Sequence, residues 1–134
     1  MRIHHIGIVA ESLELFLATF DVESSEIAEH VRDTNQFNDL FFMELEDSST
    51  ILEIVVPLND QSTTHNFIKN RKIGLHHLAF KVNSISNAML RHSRTKGHFP
   101  LGKYEINVKS FGGEIKTAFV MTNGVLIEYV ENVT

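Results

Sequence analysis

The chain has 134 residues, 43% of them hydrophobic, no cysteine and a formal net charge of −5. That is the length of one domain with a sizeable core, it leaves no disulfide framework or thiol chemistry, and it lacks the basic footprint that nucleic acid requires. The opening run MRIHHIGIVA is short and soon meets Glu11 and Glu14, so it reads as neither a secretory signal nor a membrane span and fits a cytoplasmic location.

Residues 2–10 alternate as a strand. Ser12 then caps a helix on which Leu13, Phe16, Leu17 and Phe20 share one face. Strands are expected near 24–31, 38–46 and 50–56, with Pro57 ending the last. The polar stretch NDQSTTHNFIKNRK follows, with Phe67 and Ile68 as apolar anchors of a short helix. A strand over 74–82 comes next. Asn83 or Ser84 caps a second helix, with Ile85, Ala88, Met89 and His92 on one face and Gly97 at its end. Strands near 103–109, 114–121 and 125–131 complete the chain.

The order is β-α-β-β-β twice, and the residues repeat with it. IHHIGIVAESLELFL at Ile3 matches LHHLAFKVNSISNAML at Leu75, with 72 residues between His5 and His77. TILEIVV matches VLIEYVE, with glutamate fourth in each and 75 residues between Glu53 and Glu128. Two copies make a duplicated module rather than a solenoid. The expected fold is therefore α+β, built of two repeated βαβββ modules. Module one covers about 1–58, a connector about 59–72 and module two about 73–134 of a single domain.

Alternation decides where the polar residues point. His5 shares a face with Gly7, and His77 with Ala79; small neighbours leave space for something other than protein. His4 and His76 fall on the opposite, helix-packed face and read as structural, as do His30, His65, His92 and His98. Glu53 and Glu128 stand inside apolar strands, where an unpaired carboxylate is costly. Glu44 reads as solvated. The basic cluster Arg91, Arg94 and Lys96 reads as a solvated helix face. Two imidazoles and two carboxylates at repeated positions suit one divalent ion such as zinc, nickel, cobalt, manganese or ferrous iron.

The segments HHIGIVAESLE, LEIVVPLNDQSTTHNFIKNRKIGLHHLAFKV and NGVLIEYVE resemble the vicinal oxygen chelate superfamily, which includes glyoxalase I, methylmalonyl-CoA epimerase, extradiol dioxygenases and bleomycin-resistance proteins. The pattern is closest to methylmalonyl-CoA epimerase. The resemblance implies that the two βαβββ modules form a curved, mostly antiparallel sheet around a central metal site, with ligands at the second histidine of each pair, His5 and His77, at Glu53, four residues before Pro57, and at Glu128. It implies that Glu53 and Glu128 are also catalytic. The implied activity is a metal-dependent epimerase or isomerase moving a proton α to the carbonyl of a small acyl thioester. The alternatives are a glyoxalase I-type lactoylglutathione lyase acting on a hemithioacetal, and a non-catalytic or accessory small-molecule-binding member. A homodimer is implied, with no nucleic-acid or membrane partner. The chain departs from the epimerase pattern at DTNQFNDLFF, where a second basic glutamate is expected. Asn35 or Gln36 stands there, with Asp33 and Asp39 nearby. It also reads FVMTNGVLIE, without the epimerases' HPK before the last strand.

Overall fold

Both βαβββ modules are present in the computed structural model, which describes residues 2–46, 48–94 and 98–133. Module one comprises β1 (Ile3–Ala10), α1 (Leu13–Phe20), β2 (Glu29–Asp33), β3 (Asn38–Glu44) and β4 (Ile51–Pro57). A four-residue helix, α2 (His65–Ile68), occupies the connector. Module two comprises β5 (Ile73–Lys81), α3 (Ile85–His92), β6 (His98–Val108), β7 (Gly113–Thr122) and β8 (Val125–Asn132). The α+β class and the duplicated element order are thus as the sequence implies. Among the described residues, no helix is long and apolar enough to cross a membrane.

The chain forms two compact units. One is Ile6–His76; the other combines the N-terminal segment up to His5 with the chain from His77 onward. In the first unit β2, β3 and β4 are antiparallel neighbours, and β1 lies beside β4. The Ser12 side chain accepts the Leu15 N–H at 3.1 Å and starts α1, and Asp21, in the left-handed region at φ 54°, ends it. This sets Leu13, Phe16 and Leu17 over Ile8, Ala10, Met43 and Ile54 as one hydrophobic core. Phe16 is fully buried. Phe20, expected on that face, is half exposed and touches the Phe16 ring at 5.0 Å.

In the second unit the hydrogen-bonded order is β5-β8-β7-β6. Numbered within its module, this is the order of the first unit, so the sequence repeat is a repeat of topology. β5 and β8 are parallel, while β6, β7 and β8 are antiparallel. The Lys81 N–H donates to the Arg2 carbonyl at 3.0 Å, tying the N-terminal segment to β5. Asn123 and Gly124 join β7 to β8 with φ 50° and 79°, the two left-handed residues that a tight hairpin of this hand needs. That turn fixes the register of β8. Ser84 caps α3 by accepting the Asn87 N–H, which resolves the choice between Asn83 and Ser84.

Two expectations need correction. Residues 24–31 are not one strand: Ser24–Glu26 form a 3-10 turn with Glu26 capping back on Glu23, and β2 begins only at Glu29. β6 starts at His98 rather than near 103, and after Val108 the chain tightens into a 3-10 turn over Lys109–Phe111 that buries Phe111. The helix stop at Gly97 and the side chains of Lys96 and His98 lie outside the described residues; α3 itself ends at His92.

Candidate metal centre

Strand geometry in the second unit carries three of the four expected ligands to one place. His77 and Ala79 share a face of β5. Ala79 is the register partner of Glu128 on β8, and Glu128 in turn faces Phe119 on β7. The methyl group of Ala79 leaves the carboxylate room beside His77. His5 enters from the N-terminal segment.

His5 Nε2 lies 3.1 Å from His77 Nε2 and 3.4 Å from a Glu128 carboxylate oxygen, which is 3.8 Å from His77 Nε2. All three are buried, His5 completely, at 0%, and Glu128 at 3% exposure. Donors about 2.1 Å from one ion stand about 3.0 Å apart at a right angle and about 3.4 Å apart at the tetrahedral angle. The observed separations span and slightly exceed those values. Two imidazole nitrogens and a carboxylate oxygen are also a borderline-soft donor set suited to a divalent first-row ion. The side chains present therefore fit such an ion, and all three come from a single chain.

The rings around His5 set its direction. Phe111 stacks on it with centroids 4.8 Å apart and planes 17° apart. His4 Nδ1 lies 2.8 Å from His5 Nδ1. With His5 Nδ1–H donating and neutral His4 accepting, His5 Nε2 keeps a lone pair for an ion. Burial first, and after it the electrostatic influence of His5, Lys81 and Arg2, pushes the His4 imidazole down to about 4, so it is neutral at physiological pH. His4 is thus a positioning partner of His5 rather than a residue of the opposite face alone. Nothing in the sequence pattern marked Phe111, which lies between two strands. The doubling of the histidine was the available sign for His4. Phe119 meets the edge of His77 at 5.5 Å.

Glu53 belongs to the first unit. It is 8% exposed on β4, opposite Phe42 of β3. Its neighbours Leu52, Ile54 and Val56 point into the hydrophobic core, so alternation turns Glu53 to the other face with Phe42 and Val55. His76 meets Phe67 edge-on at 4.9 Å, and burial pushes its imidazole down to about 4. His30 and Arg32 bind Asp39 on β3. Asp33 accepts the backbone N–H groups of Asn35 and Gln36 and the Gln36 amide, closing the β2–β3 turn.

Comparison with known proteins bears on the fold and the family. A Bacillus subtilis protein named only as uncharacterized protein YqjC is 29% identical over 139 residues, covering 97% of this chain and 91% of its own. The structure of methylmalonyl-CoA epimerase from Mycobacterium tuberculosis superposes with a TM-score of 0.77 at 20% identity, covering 99% of this chain and 89% of that one. A variant Streptomyces coelicolor methylmalonyl-CoA epimerase, in complex with 2-nitronate-propionyl-CoA, gives 0.76 at 22% identity, covering 100% and 99%. At such identities these structures speak for the fold. Residues 4–119, which hold both histidine pairs and Glu53, match the family described as the Glyoxalase/Bleomycin resistance protein/Dioxygenase superfamily, and to that superfamily the chain belongs.

Proposed function

We propose that the chain is a divalent-metal-dependent isomerase that moves a proton α to the carbonyl of a small acyl thioester, as a methylmalonyl-CoA epimerase does. The observation that carries this reading is the buried convergence of His5, His77 and Glu128. The acyl-CoA ligand of the Streptomyces coelicolor epimerase supports the substrate class. A zinc, nickel, cobalt or manganese ion held by these residues would act as a Lewis acid toward the substrate's carbonyl oxygen. His5 and His77 would hold it through Nε2. Glu53 is the proposed fourth ligand, on the strength of its repeat position and its burial. The proton is handled by the carboxylates: Glu128 and Glu53 are the proposed bases, each acting where it can reach the substrate carbon. Phe111, buried against His5, keeps water from that imidazole. The proposal includes a homodimer, which light scattering would read.

A glyoxalase I-type reaction is the second reading, and one observation favours it. Epimerisation needs two bases on opposite sides of the carbon, and the segment expected to hold the second offers only engaged carboxylates. Asp33 closes a turn and Asp39 is paired with Arg32 and His30. A glyoxalase I-type isomerisation moves the proton between adjacent carbons, so Glu53 and Glu128 need not stand on opposite faces of one carbon.

Both readings are tested by native metal analysis followed by solvent-deuterium exchange into methylmalonyl-CoA and into the methylglyoxal–glutathione hemithioacetal. Exchange into one substrate selects the branch. Glu128→Gln should abolish it, and wild-type exchange in that variant would sink the mechanism.

A further inference from the structure

The helix face of the second module carries a cavity of about 870 Å³. Its lining differs from module one at matched positions. The 72-residue offset that relates His5 to His77 also relates Phe16 to Ala88 and Phe20 to His92. In module one the fully buried ring of Phe16 fills the space under α1. In module two a methyl group stands there, and Ala88 lines the cavity. At the 75-residue offset, buried Ile54 becomes Tyr129, which brings a hydroxyl to the wall.

The lining is also inverted in charge. Arg2, Lys81 and Arg91 contribute to it, with Ser84 and Asn87, and among the described residues lining it there is no Asp or Glu. The whole chain carries 17 acids against 12 bases. Where module one has Glu11 and Thr19, module two has Asn83 and Arg91. The tyrosine is held in place, since His92 bonds both its hydroxyl and that of Thr122. Burial pushes the Tyr129 pKa up, and the charge of Arg91 offsets part of that push. The first backbone N–H of α3, on Ile85, is already taken by Glu131 at 2.8 Å. The cations, and not the helix terminus, are what an anion would meet.

We propose that this cavity binds the phosphate groups of a small, nucleotide-sized ligand, with Arg2 and Arg91 meeting the phosphates and Phe80 and Tyr129 flanking its organic body. The volume lies in the range of small-molecule sites. Guanidinium groups match phosphate oxygens in a planar fork. The inference does not rest on the metal reading: Tyr129 follows Glu128 in β8, so alternation puts the two side chains on opposite faces.

The test is calorimetric titration of the whole protein with ADP and with pyrophosphate at fixed salt, for wild type and two variants. Arg2→Glu with Arg91→Glu reverses two exposed charges and should weaken both probes by about tenfold or more, since each lost charged hydrogen bond contributes on that scale. Ala88→Phe restores the ring of module one and should abolish ADP binding. Metal content should not change in either. Displacement of ADP by an acyl-CoA would assign the site to the nucleotide end of a thioester substrate, and simultaneous binding would assign it to a separate phosphorylated ligand; either supports the proposal. Absence of saturable binding by wild type, or equal affinity in the charge-reversed variant, would overturn it.

Discussion

Glu128→Gln keeps the shape of a buried side chain and removes its charge, so its effect on the response to metal can be worked out in advance. A ligand at about one hundred times its dissociation constant stabilises the native state by about 2.7 kcal/mol. An unfolding entropy near 2.1 cal/mol/K per residue gives about 0.28 kcal/mol/K for 134 residues. Wild type should therefore gain about 10 °C in Tm on saturation. Glu128 supplies the anionic donor of a set whose separations are 3.1, 3.4 and 3.8 Å. Its loss should weaken the ion by about 100-fold, at the upper end of what even outer-sphere partners contribute. The variant is then half saturated at the same ion concentration, and its gain falls to about 0.4 kcal/mol, or about 1.5 °C. Scanning calorimetry on chelator-treated protein, with manganese, cobalt, nickel or zinc added back, reads both numbers. The metal-free scans report whether the variant folds. A wild-type response below about 2 °C with every ion, or an equal response in Glu128→Gln, would refute the argument.

Phe111→Ala should lower stability by about 3–5 kcal/mol in urea denaturation, because it empties a buried ring site against His4 and His5; a change near zero would show that the stack contributes nothing. Ser12→Ala should lose about 1 kcal/mol by removing the acceptor of the Leu15 N–H, again read in urea, and Ser12→Asp should retain most of it. The Arg32 guanidinium holds the Asp39 carboxyl below its usual value. A depressed carboxylate stabilises the fold above the unfolded pKa, and that contribution is lost as pH falls through the folded pKa. Arg32→Ala should raise the Asp39 pKa, measured by carboxyl NMR titration, and make acid unfolding begin at a higher pH; an unchanged titration would contradict the pairing.

What the sequence disclosed, and what it did not, follows from the range of each signal. The alternation around His5 and His77 and the periodicity of Leu13, Phe16 and Leu17 are local, so strands and helices were legible. Repetition at matched spacing substituted for long-range information and picked out His77 and Glu128 before any pairing was known. The 24–31 segment misled because Glu26 caps a 3-10 turn, and side-chain-to-backbone bonding of that kind competes with a strand without altering composition. Phe111 was invisible for a different reason. Its importance lies in a contact with residues more than a hundred positions earlier, and one phenylalanine after a strand looks like any other.

The Asn123–Gly124 turn has a consequence for how β8 can change. Glu128 and Tyr129 are consecutive, so their Cα atoms are about 3.8 Å apart and their side chains serve opposite faces. A deletion of one residue between the turn and Glu128 would put the Tyr129 phenol where Glu128 now faces His77, and an insertion would put the Glu128 carboxylate where Tyr129 now lines the cavity. Length changes in this hairpin are therefore coupled to chemistry on both sides at once. β8 is a partition one residue thick, and whatever shifts it from one side moves the wall of the other.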